Sequence, residues 1–263
     1  MTSMLTTPEF DQLLRALKLS GIKQTLPERL ALAKQRGLSH AVFLELVLAD
    51  EHSRRENTSA GQRARKAGLD PTMRVETWSE LDDVCYDRAL WSDLCGGAWQ
   101  RGACNVLVLG PVGVGKTHLA TALGHSAIRR RIPTLFLRAD KLFHRLKAAR
   151  LDNTIEAEHR RLAATKLLII DDFALRGLDA TQTNDFYELV VERHRHYPTV
   201  ITSNRDPGEW IGQMADTLLA QAAVDRLTAG AHILILDGPS YRQRRPAGTG
   251  PSLDTQDGAD HAH

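Results

Sequence analysis

Two short runs carry residues suited to phosphate and water chemistry. The first is Val106–Ala120, VLVLGPVGVGKTHLA, in which Gly110 is followed by Pro111, Val112, Gly113 and Val114 and then by Gly115, Lys116 and Thr117. This G-x4-G-K-[ST] spacing lets a glycine-rich backbone close round an anion without a Cβ in the way. Amides at a following helix start, with the positive end of the helix dipole, then hold that anion. Lys116 is placed to reach the β- and γ-phosphates of a nucleotide, and the Thr117 hydroxyl to ligate Mg2+. The candidate phosphate-binding set runs from Gly110 to His118. A glycine-rich turn with an incidental lysine is the bland alternative. It does not explain why an apolar run precedes the loop and helical spacing (Leu119, Ala120, Leu123, Ala127) follows it.

The second run is Leu167–Phe173, LLIIDDF: four apolar residues ending in two carboxylates. A buried strand of this kind delivers Asp171 beside a phosphate loop, where it can hold Mg2+ directly or through water. Asp172 is then placed to polarise an attacking water. A strand that merely ends in a polar turn would look similar, but here a phosphate loop lies about 55 residues upstream, the spacing of a small P-loop ATPase. Thr199–Ser203 (TVITS) reads as another strand ending at Asn204, an amide able to orient water, although Asn also favours turns. Ala222–Leu227 reads as a helix presenting Arg226, and Ser240-Tyr241-Arg242 follows a last strand at Ile233–Leu236.

To position these groups the chain needs a parallel sheet flanked by helices. Val106–Leu109, Thr134–Leu137, Leu167–Ile170, Thr199–Ser203 and Ile233–Leu236 are apolar runs fit for strands covered on both faces. Between them lie helical patterns, among them the basic stretch Asp140–Leu151 with Lys141, Arg145, Lys147 and Arg150, and Thr183–Arg195. Arg129-Arg130-Arg131 suits the negative end of the first helix. Trp78, Trp91 and Trp99 are expected to pack on the core; any of them could stack on a base, and nothing in the sequence picks one out.

Residues 1–56 carry three short apolar stripes at helical spacing, with Pro27 suited to a first turn, Gly37 to a helix stop and Ser39 to a cap. They read as a small helical domain at 1–70, or else as an extension of the main core, ahead of a catalytic domain at 71–245 and a polar, disordered tail at 246–263. Residues 1–75 hold 12 Lys+Arg against 8 Asp+Glu, a hint of an anionic partner. Arg54, Arg55, Arg63, Arg65 and Lys66 are either contacts to nucleic-acid phosphates or a solvated linker. The chain of 263 residues is 42% hydrophobic and 25% charged, ordinary for a globular protein, with no run near the ~20 apolar residues of a membrane span. Three cysteines without C-x2-C spacing and an N-terminus unlike a signal peptide predict reduced thiols and a cytoplasmic location. No spacing suggests a metal site made of protein ligands alone.

Taken in order, GPVGVGKTHLATALGH, LLIIDDF, TVITSNRDPGEW, AAVDRL and GPSYR closely resemble the IstB-like transposition helper ATPases, AAA+ proteins allied to DnaC-type helicase loaders and DnaA-type initiators. The resemblance covers roughly residues 10–245 and implies an α/β P-loop NTPase fold of the AAA+ kind. It makes Lys116 and Thr117 Walker A, Asp171 and Asp172 Walker B, and Asn204 sensor 1. Arg226 would be an arginine finger acting on a neighbouring copy, and Arg242 a sensor 2 arginine. From the residues alone, Arg226 could instead be a salt-bridged helix residue and Arg242 a solvated loop residue. AAA+ proteins in general carry Glu where Asp172 stands, whereas Asp-Asp is familiar in this branch; the shorter side chain implies slow turnover and not its loss, and the C-terminal helical lid typical of AAA+ proteins is absent or minimal here. The implied partners are double-stranded DNA, a cognate transposase and further copies of the chain; the implied cofactors are ATP and Mg2+. Lys147 and Arg150 would contact DNA. A helicase loader, or an adaptor that binds ATP without hydrolysis, are the competing functions.

Overall fold

The computed structural model describes residues 7–78 and 84–240. Three helices come first: α1 (Pro8–Ala16), α2 (Ile22–Arg36) and α3 (His40–Lys66). A short turn at Val75–Thr77, α4 (Arg88–Gly96) and α5 (Ala98–Arg101) lead to β1 (Val106–Leu109) and α6 (Lys116–Arg129). Then come β2 (Thr134–Arg138), α7 (Ala139–Leu151), α8 (Ile155–Ala164), β3 (Leu167–Asp171) and α9 (Ala180–Arg193). The described part closes with β4 (Thr199–Ser203), α10 (Pro207–Ile211), α11 (Thr217–Thr228) and β5 (His232–Ile235).

The five strands form one parallel sheet in the order β2-β3-β4-β1-β5. Alternate strand residues serve opposite faces. Leu107, Leu109, Leu168, Ile170 and Ile201 join residues of α7, α8, α9 and α11 in one core cluster. Val106, Val108, Leu167, Ile169 and Val200 join α4, α6 and the end of α3 in the other. Both faces are covered, so the central strands read as unbroken apolar runs. Arg193 ties the back of the sheet together. Its guanidinium is buried and donates to the carbonyls of Leu162, Ala163, Thr165 and Pro198 and to Thr199 Oγ1. Burial lowers its pKa to about 10, so it stays charged at neutral pH.

The N-terminal helices depart from expectation in two ways. Pro27 lies inside α2, not in its first turn, because the helix already begins at Ile22. The polar stretch after residue 54 is no linker: α3 runs unbroken to Lys66, and Ala64, Ala67 and Leu69 are buried against the sheet. Its Ala, Arg, Gln, Glu and Lys content is helix-forming, and Phe136 of the edge strand donates to Ala67 O. Ser39 caps α3 and Gly37 ends α2 at φ 61, as expected. The arginines closing α6 do more than meet its dipole: Arg129 pairs with Glu76, Arg131 with Glu56, and Arg130 donates to the carbonyls of Cys95 and Gly96.

Arg54 and Arg55 both grip Glu51, which is only 3% exposed. Arg55 also donates to Lys18 O, fastening α3 to the turn after α1. The Arg54 hydrogen bond, above all, holds the Glu51 carboxyl at about 2, below its ordinary 4.5. A carboxylate whose folded value is depressed stabilises fully above the unfolded value and loses that contribution as pH falls through the folded one. Acid titration followed by circular dichroism should therefore show helix loss setting in between pH 4.5 and 2, and Glu51→Gln should flatten that stretch of the curve.

Candidate functional site

The phosphate loop leaves β1 at Leu109 and turns at Gly110, whose φ of 141 suits glycine alone; an added Cβ would stand 2.1 Å from Leu236 O, just past β5. Val114 is buried beneath the loop and Val112 is exposed at its tip. Lys116, the first residue of α6, is 7% exposed, and its Nζ donates to the carbonyls of Gly110 (2.7 Å) and Pro111 (2.6 Å). Gly115 precedes α6 without a side-chain cap, so the first-turn amides are left for another acceptor.

The β1–β4 register pairs Leu109 with Ser203, so Asn204 stands level with Gly110, its side chain exposed. Ser203 Oγ donates to Phe173 O and accepts from Trp210 Nε1, which braces that strand end. On β3, Asp171 is 3% exposed and accepts from Thr117 Oγ1 (3.0 and 3.2 Å) and from Thr202 Oγ1 (2.6 Å). Burial pushes its pKa up and Asp172 adds to the rise, against the two hydroxyls. A buried carboxylate of this kind beside a hydroxyl is a fitting oxygen pair for Mg2+. Asp172 follows at φ 56, its N–H donating to Thr202 Oγ1 (2.9 Å) and its carboxylate 3.7 Å from Arg138. Thr202 therefore serves both acids. A hydroxyl beside Val200 and Ile201 in a fully buried strand demands partners, and in TVITS that demand is the one sequence signal of this role.

With this geometry, sequence comparison decides the family. The family model for IstB-like ATP binding proteins matches residues 12–248. This chain belongs to that family. An insertion-sequence protein of Mycobacterium tuberculosis (strain ATCC 25618 / H37Rv), named for ATP binding, is 35% identical over 242 residues, 92% of this chain and 96% of its own length. A counterpart in insertion sequence IS21 of Pseudomonas aeruginosa is 30% identical, covering 91% of each. In fold, the chain is similar to the DnaC helicase loader (TM-score 0.54, 16% identity, 63% of this chain and 97% of that one). It is also similar to AMPPCP-bound DnaA from Aquifex aeolicus (TM-score 0.51, 20% identity, 65% of this chain and about half, 51%, of that one).

Other predicted residues of this IstB-like protein are dispersed. Arg226 on α11 donates to Ala222 O of its own helix, and its guanidinium lies 5.8 Å from the Tyr187 ring centroid; no carboxylate pairs with it among the described residues. Arg242 lies outside the described residues, as does the tail from 246. Arg63 donates to Ser59 and to Ile128 O, whereas Arg65 and Lys66 are exposed. Arg150 makes a bidentate pair with buried Asp185 of α9, a structural tie beside His159 that the sequence did not disclose. His159, Asp185 and Glu188 are close enough to hold a metal, but Arg150 already meets the Asp185 charge. Lys147 is exposed and lines a cleft of about 350 Å³ with Arg138, His144, Arg176 and Asp172. Cys85, Cys95 and Cys104 are unbridged, and no described helix is long and apolar enough to cross a membrane.

Thr202→Val should strip one hydrogen bond from Asp171 and leave the Asp172 amide without its acceptor. We expect a loss of about 1–3 kcal/mol in urea unfolding, together with a weaker dependence of nucleotide affinity on Mg2+, read by titration calorimetry with and without the metal.

Proposed function

We propose that this IstB-like protein binds ATP with Mg2+, assembles on double-stranded DNA in that state, hydrolyses ATP slowly, and assists the transposase of its insertion sequence. The observation that carries the reading is the Thr117–Asp171 contact, 3.0 Å, which joins the phosphate loop to the acid of β3. The insertion-sequence relatives support the transposition context. Thr117 and Asp171 would hold Mg2+, which supplies charge neutralisation at the terminal phosphates. Lys116 would bind the β- and γ-phosphates. Asp172 would accept a proton from water oriented by Asn204, and Arg242 would meet the γ-phosphate. Arg226, free of a carboxylate among the described residues, would reach a neighbouring copy's site, so that turnover depends on assembly.

Exposed Arg65, Lys66 and Lys147 are the better supported DNA contacts, since Arg54, Arg55 and Arg150 already serve intramolecular carboxylates. No base-reading motif accompanies them, so DNA affinity should fall steeply with salt. A second reading, an ATP-binding adaptor without turnover, is favoured by Arg138, which lies 3.7 Å from the Asp172 carboxylate. Turnover that stays at background with saturating DNA and transposase would establish it. The helicase-loader alternative predicts capture of a replicative helicase in a pull-down, and the transposition reading predicts capture of the transposase.

Lys116→Ala should weaken ATP binding and, through it, DNA assembly, both readable by filter binding. Arg226→Ala should leave ATP affinity within about 2-fold while lowering DNA-stimulated hydrolysis by roughly 1,000-fold or more, the scale of a trans arginine. A collapse of the thermal transition in Arg226→Ala would instead assign that arginine to the fold.

A further inference from the structure

We propose that Trp78 is the platform on which the base of the bound nucleotide stacks, held in position by Tyr86 and His118. This rests on the ATP-binding reading above and names the part of the site that grips the nucleoside.

The phosphate loop has two unlike flanks. β1 lies between β4 and β5 in the sheet. The acids and Asn204 stand at the ends of β3 and β4, on one flank. The terminal phosphate must point that way, toward Lys116, Thr117 and Asp171. Sugar and base must then leave toward the β5 flank. There Cys85 pairs with Asp237, just past β5, through hydrogen bonds of 2.8 and 2.9 Å, which brings Tyr86 to that side. Trp78 Nε1 donates to Tyr86 Oη (3.1 Å), and the two rings meet edge-on, 6.3 Å between centroids. His118 also borders Trp78: its ring lies 5.2 Å away and its Nε2 donates to Arg74 O at 2.9 Å. The indole lies against the loop itself: a Cβ on Gly115 would stand 2.5 Å from its Cη2 and Cζ3.

The other tryptophans cannot serve. Trp91, Trp99 and Trp210 are buried at 8%, 4% and 0% exposure, while Trp78 is half-buried. An indole whose N–H is already engaged offers a face and no hydrogen bond, so it adds affinity for any purine without separating adenine from guanine.

The test compares ATP with inorganic triphosphate, which fills the loop but carries no base, by competition against labelled ATP on the full chain. For Trp78→Ala we expect ATP to bind roughly 5- to 100-fold more weakly, the scale of one base–aromatic stack, with triphosphate within about 2-fold of wild type. Trp78→Phe should retain most of the ATP affinity, which guards against a misfolded alanine variant. Wild-type tryptophan fluorescence should change with ATP and not with triphosphate, and Trp78→Phe should abolish the change. Equal weakening of both ligands would make Trp78 a mere support of the loop and overturn the proposal. Unchanged ATP affinity in Trp78→Ala, with wild type binding ATP normally, would overturn it alone. A wild-type chain that binds triphosphate and ATP equally would also sink it, whereas one that binds neither would sink the ATP-binding reading first.

Discussion

The hydrogen-bonded group Thr117–Asp171–Thr202 is the constraint on which the site depends. It brings together the first turn of α6, the end of β3 and the inside of β4. A carboxylate this deeply buried raises its own proton affinity, and removal from water is costly unless hydroxyls or a cation compensate. The two threonines compensate in part, and a divalent ion beside them would complete the balance. The same Thr202 oxygen receives the Asp172 amide, so the backbone that turns the second acid outward, at φ 56, is held by the group that holds the first.

The sheet order turns this constraint into a directional site. With β4 between β1 and β3, the acids and Asn204 share one flank of the phosphate loop. The opposite flank, beyond β5, is supplied by the segment that precedes β1, through the Cys85–Asp237 bridge. Charge chemistry and aromatic surface are thus separated across a loop only a few residues wide. This separation is a property of parallel strand order and not of any single residue.

Cations in this protein divide by partner. Arg54 and Arg55 close on Glu51 within α3, Arg150 on Asp185 and Arg193 on five backbone and hydroxyl oxygens; Arg55 (through Lys18 O), Arg150 and Arg193 also join elements distant in sequence. Arg65, Lys66 and Lys147 face solvent. Only the second group keeps its full charge for a polyanion at no structural cost, because breaking a pair around a buried carboxylate leaves an uncompensated charge.

The phosphate loop, the paired acids, the strand before each and the helix after the loop were legible in the sequence, because their chemistry is local. A loop that wraps a phosphate needs glycines at set spacing, and a strand covered on both faces needs an unbroken apolar run. Helix signals were also local, as Gly37 and Ser39 bear out, although Pro27 misled because a long helix can absorb one missing donor. What only the tertiary structure decided is which residues meet across the sheet. Thr202 beneath both acids, Trp78 against Gly115 and Arg150 on Asp185 join positions 30 residues apart or more. Such contacts follow from strand order and register, and neither composition nor periodicity encodes which strand will lie beside which.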